Sequence, residues 1–202
     1  MNGARLRQPC SALFKPDVDW HHNAYLTRAQ SSWYLRADGY RRAAESLVQS
    51  CKTFYDRNTL IYSVGFLYRH YIELALKDII INGNKVVVRP HPIPKIRHPL
   101  DSLWFICRSI ITERSLASVG EVRSMERYIL EFSQFDANSE GFRFPETKDG
   151  QLSLPSHADA VSLRGLAKAM EELAQLLRRV AGTLDADVEF QREYEHEMYG
   201  GY

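Results

Sequence analysis

Leu60-Ile61-Tyr62-Ser63-Val64-Gly65-Phe66-Leu67-Tyr68-Arg69-His70-Tyr71-Ile72-Glu73-Leu74-Ala75-Leu76-Lys77-Asp78-Ile79-Ile80-Ile81 is the stretch whose reading decides the fold. It reads as a helix that is apolar nearly all the way round. Arg69, Glu73 and Lys77 are spaced four apart, so on a helix they stack along one face, with His70 beside them. A helix apolar on most sides belongs in the middle of a bundle. Its polar stripe has two readings. One is a ladder of ion pairs along a solvent edge, each worth roughly 0.2–0.5 kcal/mol. The other is a functional site.

Working outward from this helix, the pattern stays helical. From about Thr27 to Tyr55, Tyr40, Ala44, Leu47, Cys51 and Phe54 recur every three to four residues. Asp56-Arg57-Asn58 reads as a short turn, with Asn58 or Thr59 capping the next helix. So short a connection makes an antiparallel helical hairpin. On the other side, Asn82-Gly83-Asn84 is the predicted stop, with Gly83 at the left-handed C-cap position. Lys85 to Pro99 follows, with prolines at 90, 92, 94 and 99, cations at Lys85, Arg89, Lys95 and Arg97, and no acidic residue. Proline excludes helix and central strand there.

Two further helices are predicted over Asp101–Glu113 and about Ser115–Phe135. Residues 138–157 form a loop in which Lys148-Asp149-Gly150 suits the turn of a small hairpin. Ser156 with Asp159 resembles a capping box opening the last helix, which runs to about Leu184. Along that helix Leu163, Leu166, Met170, Leu173, Leu177, Val180 and Leu184 alternate three- and four-residue steps. They suit either packing onto the bundle or a helix-helix dimer seam. The chain thus divides into an irregular arm over 1–26, a helical domain over 27–184 and an acidic tail over 185–202. The fold class is all-α, an antiparallel bundle of four to five helices.

Composition excludes several classes. Of 202 residues 45% are hydrophobic, enough for a core, and 26 basic against 25 acidic residues leave a net charge of +1. Global charge therefore gives no sign of nucleic acid, and only the local distribution can. Cys10, Cys51 and Cys107 are odd in number and far apart, the usage of a reducing, cytoplasmic compartment. No Cys-x-x-Cys pair supports structural zinc. Arg69, His70, Glu73 and Lys77 near the centre of the most apolar helix argue against a membrane span. Trp20, His21, His22 and Tyr25 form a polar-aromatic patch, but adjacent histidines point to different sides, which argues against chelation. Neither a metal nor any other cofactor is expected. The sequence has no glycine-rich phosphate loop, Gly-x-Ser-x-Gly or His-Glu-x-x-His.

Three local sequences, in order, resemble one family. They are Arg69-His70-Tyr71-Ile72-Glu73-Leu74-Ala75-Leu76-Lys77, then His98-Pro99-Leu100-Asp101-Ser102-Leu103-Trp104, then Phe142-Arg143-Phe144-Pro145 before the last helix. The pattern over about residues 35–182 is similar to the HEPN family of higher eukaryotic and prokaryotic nucleotide-binding domains. In that family an Arg-Tyr-Pro commonly precedes the last helix, and Phe144 stands in for the tyrosine. The resemblance implies a dimeric bundle and a metal-independent RNase of a toxin-antitoxin, antiviral defence or RNA-processing system. It also implies RNA or nucleotide as ligand, with an operon-encoded protein as a further partner. The chain departs from the family at the active site, an Arg followed after four to six residues by a His. Arg192 and His196 come nearest, with three residues between them, in the acidic tail where carboxylates repel an RNA backbone.

The residues themselves leave two candidate sets. RNA cleavage without metal needs a base for the 2′-hydroxyl, an acid for the leaving oxygen and a cation for the phosphate. Histidine suits the first two, with an unperturbed pKa of about 6.5, and arginine suits the third. Arg69, His70 and Glu73 are therefore the candidate catalytic residues, repeated from a second subunit. Lys85, Arg89, Lys95, Arg97, His98 and Arg143 are the candidate RNA or phosphate contacts. The alternative is a catalytically inactive RNA- or nucleotide-binding or dimerisation subunit of a larger assembly. The acidic tail is complementary in charge to the basic loop and would mask it by lying across it.

Overall fold

The computed structural model describes residues 14–26, 32–91, 99–156 and 160–199. The chain divides into two units, Met1–Gln30 and Ser31–Tyr202. In the first, Asp19 caps a single 3-10 turn over Trp20–His22, and the Trp20 and His21 rings stack 3.8 Å apart. The His22 imidazole lies 3.7 Å from Asp19.

The second unit is all-helical, with α1 (Ser32–Ser50), α2 (Phe54–Val86), α3 (Leu100–Glu113), α4 (Val119–Phe135) and α5 (Leu163–Tyr199). At 33 residues, α2 is about 50 Å long. It packs against α1, α3 and α5, while α4 closes the bundle against α3 and α5. Its middle is buried on every side: Tyr68, Tyr71, Ile72, Leu74, Leu76, Ile79 and Ile80 all lie in the core. Each leucine and isoleucine among them contributes about 1.5–3 kcal/mol on leaving water. Facing them are Leu103, Cys107, Ile110, Met125, Ile129, Leu173, Leu177 and Val180.

Cross-helix contacts give the directions. Tyr40 meets His70 and Trp33 meets Lys77, so α1 runs antiparallel to α2. Leu76 bonds Cys107, and Gly83 abuts Ile110, so α3 runs parallel to α2. The Glu121–Arg179 and Tyr128–Glu172 pairs set α4 antiparallel to α5.

Several boundaries differ from the sequence reading, each for a local reason. The first turn is Cys51–Thr53, because Thr53 and Asp56 form a capping box that starts α2 at Phe54. Gly83 does not end α2. It is buried against Ile110, where a Cβ would sit 2.6 Å from Cγ2, so the missing side chain serves helix–helix contact. A second capping box, Ser118 with Glu121, delays α4 to Val119. Ser162, whose Oγ accepts the Gly165 amide at 3.1 Å, stands just before α5. Asp159 of the predicted Ser156 box lies outside the described residues. The helix also does not stop at Leu184: it continues through the acidic segment to Tyr199. Asp185 accepts from Asn82 at 2.8 Å and Asp187 pairs with Arg114 at 2.8 Å, tying its first turns to the bundle.

The segment after α4 makes a turn at Thr147–Gly150, where the Gly150 amide bonds the Thr147 carbonyl and Gly150 takes φ +72°. Glu146 and Leu152 form an isolated antiparallel bridge, and no strand is present among the described residues. The heptad leucines face the bundle. Leu163, Met170, Leu173, Leu177, Val180 and Leu184 are buried within this chain, which leaves them unavailable as an exposed dimer seam.

Candidate functional site

The polar stripe of α2 is a ladder, but not a solvent edge. The Arg69 guanidinium lies 3.2 Å from Glu73, and the Lys77 ammonium lies 2.7 Å from the other Glu73 oxygen. Arg69 is 1% exposed and Glu73 4%. Arg69 also meets the loop after α4. The Nε of Arg69 donates to the Asp136 carbonyl at 3.2 Å and lies 3.6 Å from its carboxylate. Asp136 is itself buried, and its Oδ1 accepts the amides of Glu140 and Gly141, both at 2.9 Å. A buried guanidinium is tolerated only when paired and hydrogen-bonded, and these two carboxylates meet that requirement.

That anchor fixes the next residues. Phe142 packs into the space left by Gly65, where a Cβ would run into its ring, and stacks on Phe135 at 5.6 Å. Arg143 then emerges exposed, its Nε donating to the Ser139 carbonyl at 2.6 Å. Its guanidinium lies 5.9 Å from the Phe66 ring centre and 5.2 Å from that of Phe144. Two of the three segments that carried the family resemblance, the α2 stripe and Phe142-Arg143-Phe144, therefore meet here.

His70 takes another direction from its neighbour. Successive residues of a helix point about 100° apart, so Arg69 faces inward while His70 lies half-buried at the rim. Its ring stacks on Phe66, 5.8 Å away and 8° from parallel, and receives Tyr40 edge-on at 4.4 Å. With Tyr62 and Phe66 it forms a ridge at four-residue spacing along α2. Arg69 and His70 thus do not converge on a common point of this chain.

Of the other candidate contacts, Lys85 and Arg89 are exposed, and Lys85 donates to the Asn82 side chain at 2.7 Å. The base of the basic loop is pinned by Asn84, whose side-chain amide exchanges two hydrogen bonds with the His91 backbone, at 2.7 and 2.8 Å. Lys95, Arg97 and His98 lie outside the described residues. Sequence reasoning missed Asp136, Tyr62 and Phe66. Asp136 carries no local signal, since its partner is 67 residues away. The Tyr62–Phe66–His70 spacing was visible but reads equally as core packing.

Among the described residues no group of three or more His, Cys, Asp and Glu is placed to hold a metal ion. No helix there is long and apolar enough to cross a membrane. No protein-family model, curated protein or solved structure matches the chain.

Chemically, the arrangement separates two kinds of arginine. Arg69 is paired with two carboxylates inside the fold, its Nε bonding the Asp136 carbonyl and one terminal nitrogen bonding Glu73. Arg143 is exposed over aromatic rings, with its charge directed to solvent.

Proposed function

We propose that this chain is a catalytically silent, HEPN-like helical bundle that binds single-stranded RNA along the aromatic ridge of α2. The observation that carries this reading is the burial of Arg69 between Glu73 and Asp136. An arginine so held cannot take up the charge developing on a phosphate without breaking its own ion pairs. The exposed cation beside the ridge is Arg143, and a cation next to aromatic rings suits a strand rather than a cleavage reaction. Bases stack on aromatic faces for about 1–3 kcal/mol each, and the phosphates follow the positive charge. Phe144 is half exposed and Tyr62 nearly so, which leaves ring surface for unstacked bases. Lys85 and Arg89 supply further positive charge. This reading keeps Arg69, Glu73 and His70 as residues that shape the site and gives the contacts to Arg143, Phe144 and Tyr62.

The test is fluorescence anisotropy of a labelled single-stranded RNA, with a duplex of the same sequence as control. Arg143→Ala and Phe144→Ala each weaken binding to the single strand about tenfold, and binding weakens steeply with added salt. Equal affinity for strand and duplex, or variants that bind as the parent does, would overturn the reading.

A further inference from the structure

The last part of α5 presents a surface the bundle does not use. Beyond Val188, which is buried, every residue from Glu189 to Met198 is exposed, so among the described residues this arm gains little packing. Yet it carries Phe190, Tyr194 and Met198 at four-residue spacing. They are 71%, 55% and 57% exposed, and on a helix they align along one face for about 12 Å. Short helices without tertiary packing are marginal in water, and solvated helix surface is normally polar. An aromatic stripe in that position is a contact surface.

The borders of the stripe specify the partner. On one side run Glu189, Glu193 and Glu197, also spaced four apart; on the other run Asp187, Gln191 and Glu195. Arg192 is the one arginine or lysine of the arm. At its base, Phe190 and Tyr194 join Val86, Arg114, Asp187 and Gln191 around a notch of about 240 Å³. The stripe is thus continuous with a recess that accepts one apolar side chain. A second copy of the arm is excluded by charge, because pairing stripe to stripe would set glutamates against glutamates. An RNA strand is repelled by the same carboxylates.

We infer that the α5 arm is a docking surface for a basic amphipathic helix of another protein. That helix carries apolar residues along one face with lysines or arginines on both borders. An apolar anchor fills the notch beside Val86, the remaining apolar side chains lie on Phe190, Tyr194 and Met198, and the flanking cations meet Glu189, Glu193 and Glu197 on one border and Glu195 on the other. The inference is independent of RNA binding on α2, since the arm shares no residue with that ridge.

The experiment titrates the full chain with two synthetic helical peptides that share one leucine stripe. One is flanked by lysines and the other by glutamates. The lysine peptide binds and the glutamate peptide does not. The double variant F190S/Y194S weakens the lysine peptide about tenfold, and the E189Q/E193Q/E197Q variant, which retains helix propensity, does the same. Circular dichroism of both variants matches the parent, because the substituted side chains are exposed. Two results would overturn the inference. One is a lysine peptide that binds F190S/Y194S as tightly as the parent, which is charge attraction alone. The other is a parent dimer in sedimentation that F190S/Y194S converts to monomer, which places a second copy on the stripe.

Discussion

Arg69 and Asp136 are 67 residues apart in sequence, and the Nε of Arg69 donates to the Asp136 carbonyl at 3.2 Å in the core. This one side chain joins the central helix to the loop that carries Phe142 and Arg143. Replacing it with alanine leaves Glu73 and Asp136 buried without their shared cation. The expected loss is about 3–5 kcal/mol, measured by urea unfolding. Arg69→Lys retains the charge but not the planar fork, and its loss is smaller.

Gly65 and Phe142 form the second joint of the same loop. Gly65→Ala puts a methyl group into the Phe142 ring and destabilises by about 1–3 kcal/mol. Phe142→Ala removes the obstacle along with its packing. In a double-mutant cycle the combined variant is therefore less destabilised than the sum of the two, by an interaction energy of at least about 0.5 kcal/mol.

Much of this architecture could be read from residues 60–81, and the parts that could not share a cause. The all-round apolar pattern placed α2 at the centre, and the Arg69–Glu73–Lys77 spacing gave the ladder. Whether that ladder meets water is decided by Asp136, which no local pattern links to Arg69. Gly83 misled because a glycine near a helix end suits both a C-cap and a close helix contact. Only the Ile110 side chain, 27 positions on, distinguishes the two. The end of α5 misled similarly. Its acidic composition reads as a solvated tail, whereas the spacing of Phe190, Tyr194 and Met198 is helical.

Asp78 makes stability depend on pH. Burial, followed by the nearby Asp185 carboxylate, raises its pKa from 3.8 to about 6, with Lys85 opposing. The folded state therefore holds this proton more tightly than the unfolded state. The stabilising contribution is complete below about pH 3.8 and is lost as pH rises through about 6. Asp78→Asn removes the cost of the buried charge. It should stabilise the protein by on the order of 2 kcal/mol at pH 8, and the gain should shrink towards pH 4. Parallel urea titrations of the two proteins isolate the effect from Asp56 and Glu121. Those two carboxylates are held low by hydrogen bonds in their capping boxes and act in the opposite direction.

Cys107 is fully buried, and burial pushes its thiol well above the ordinary range. Its Sγ donates to the Leu76 carbonyl at 3.2 Å. The thiolate is the reactive form, so iodoacetamide should spare Cys107 in the native protein and label it only as the chain unfolds. Cys51, which is half-buried, should label earlier. Peptide mapping by mass spectrometry after timed alkylation separates the two.

Both capping boxes should be measurable as well. Thr53→Ala and Ser118→Ala each remove a side-chain acceptor from a helix start, at a cost of about 1 kcal/mol. The sites are on different helix starts and share no partner, so the double variant should lose the sum.

The most direct test of the whole account is incubation of the purified chain with single-stranded RNA in EDTA, followed on a denaturing gel. If Arg69 is a structural cation and Arg143 a binding one, the RNA stays intact while the same preparation shifts it on a native gel. Cleavage that disappears in His70→Ala, with folding of that variant unchanged, would contradict the account and make α2 the seat of a ribonuclease.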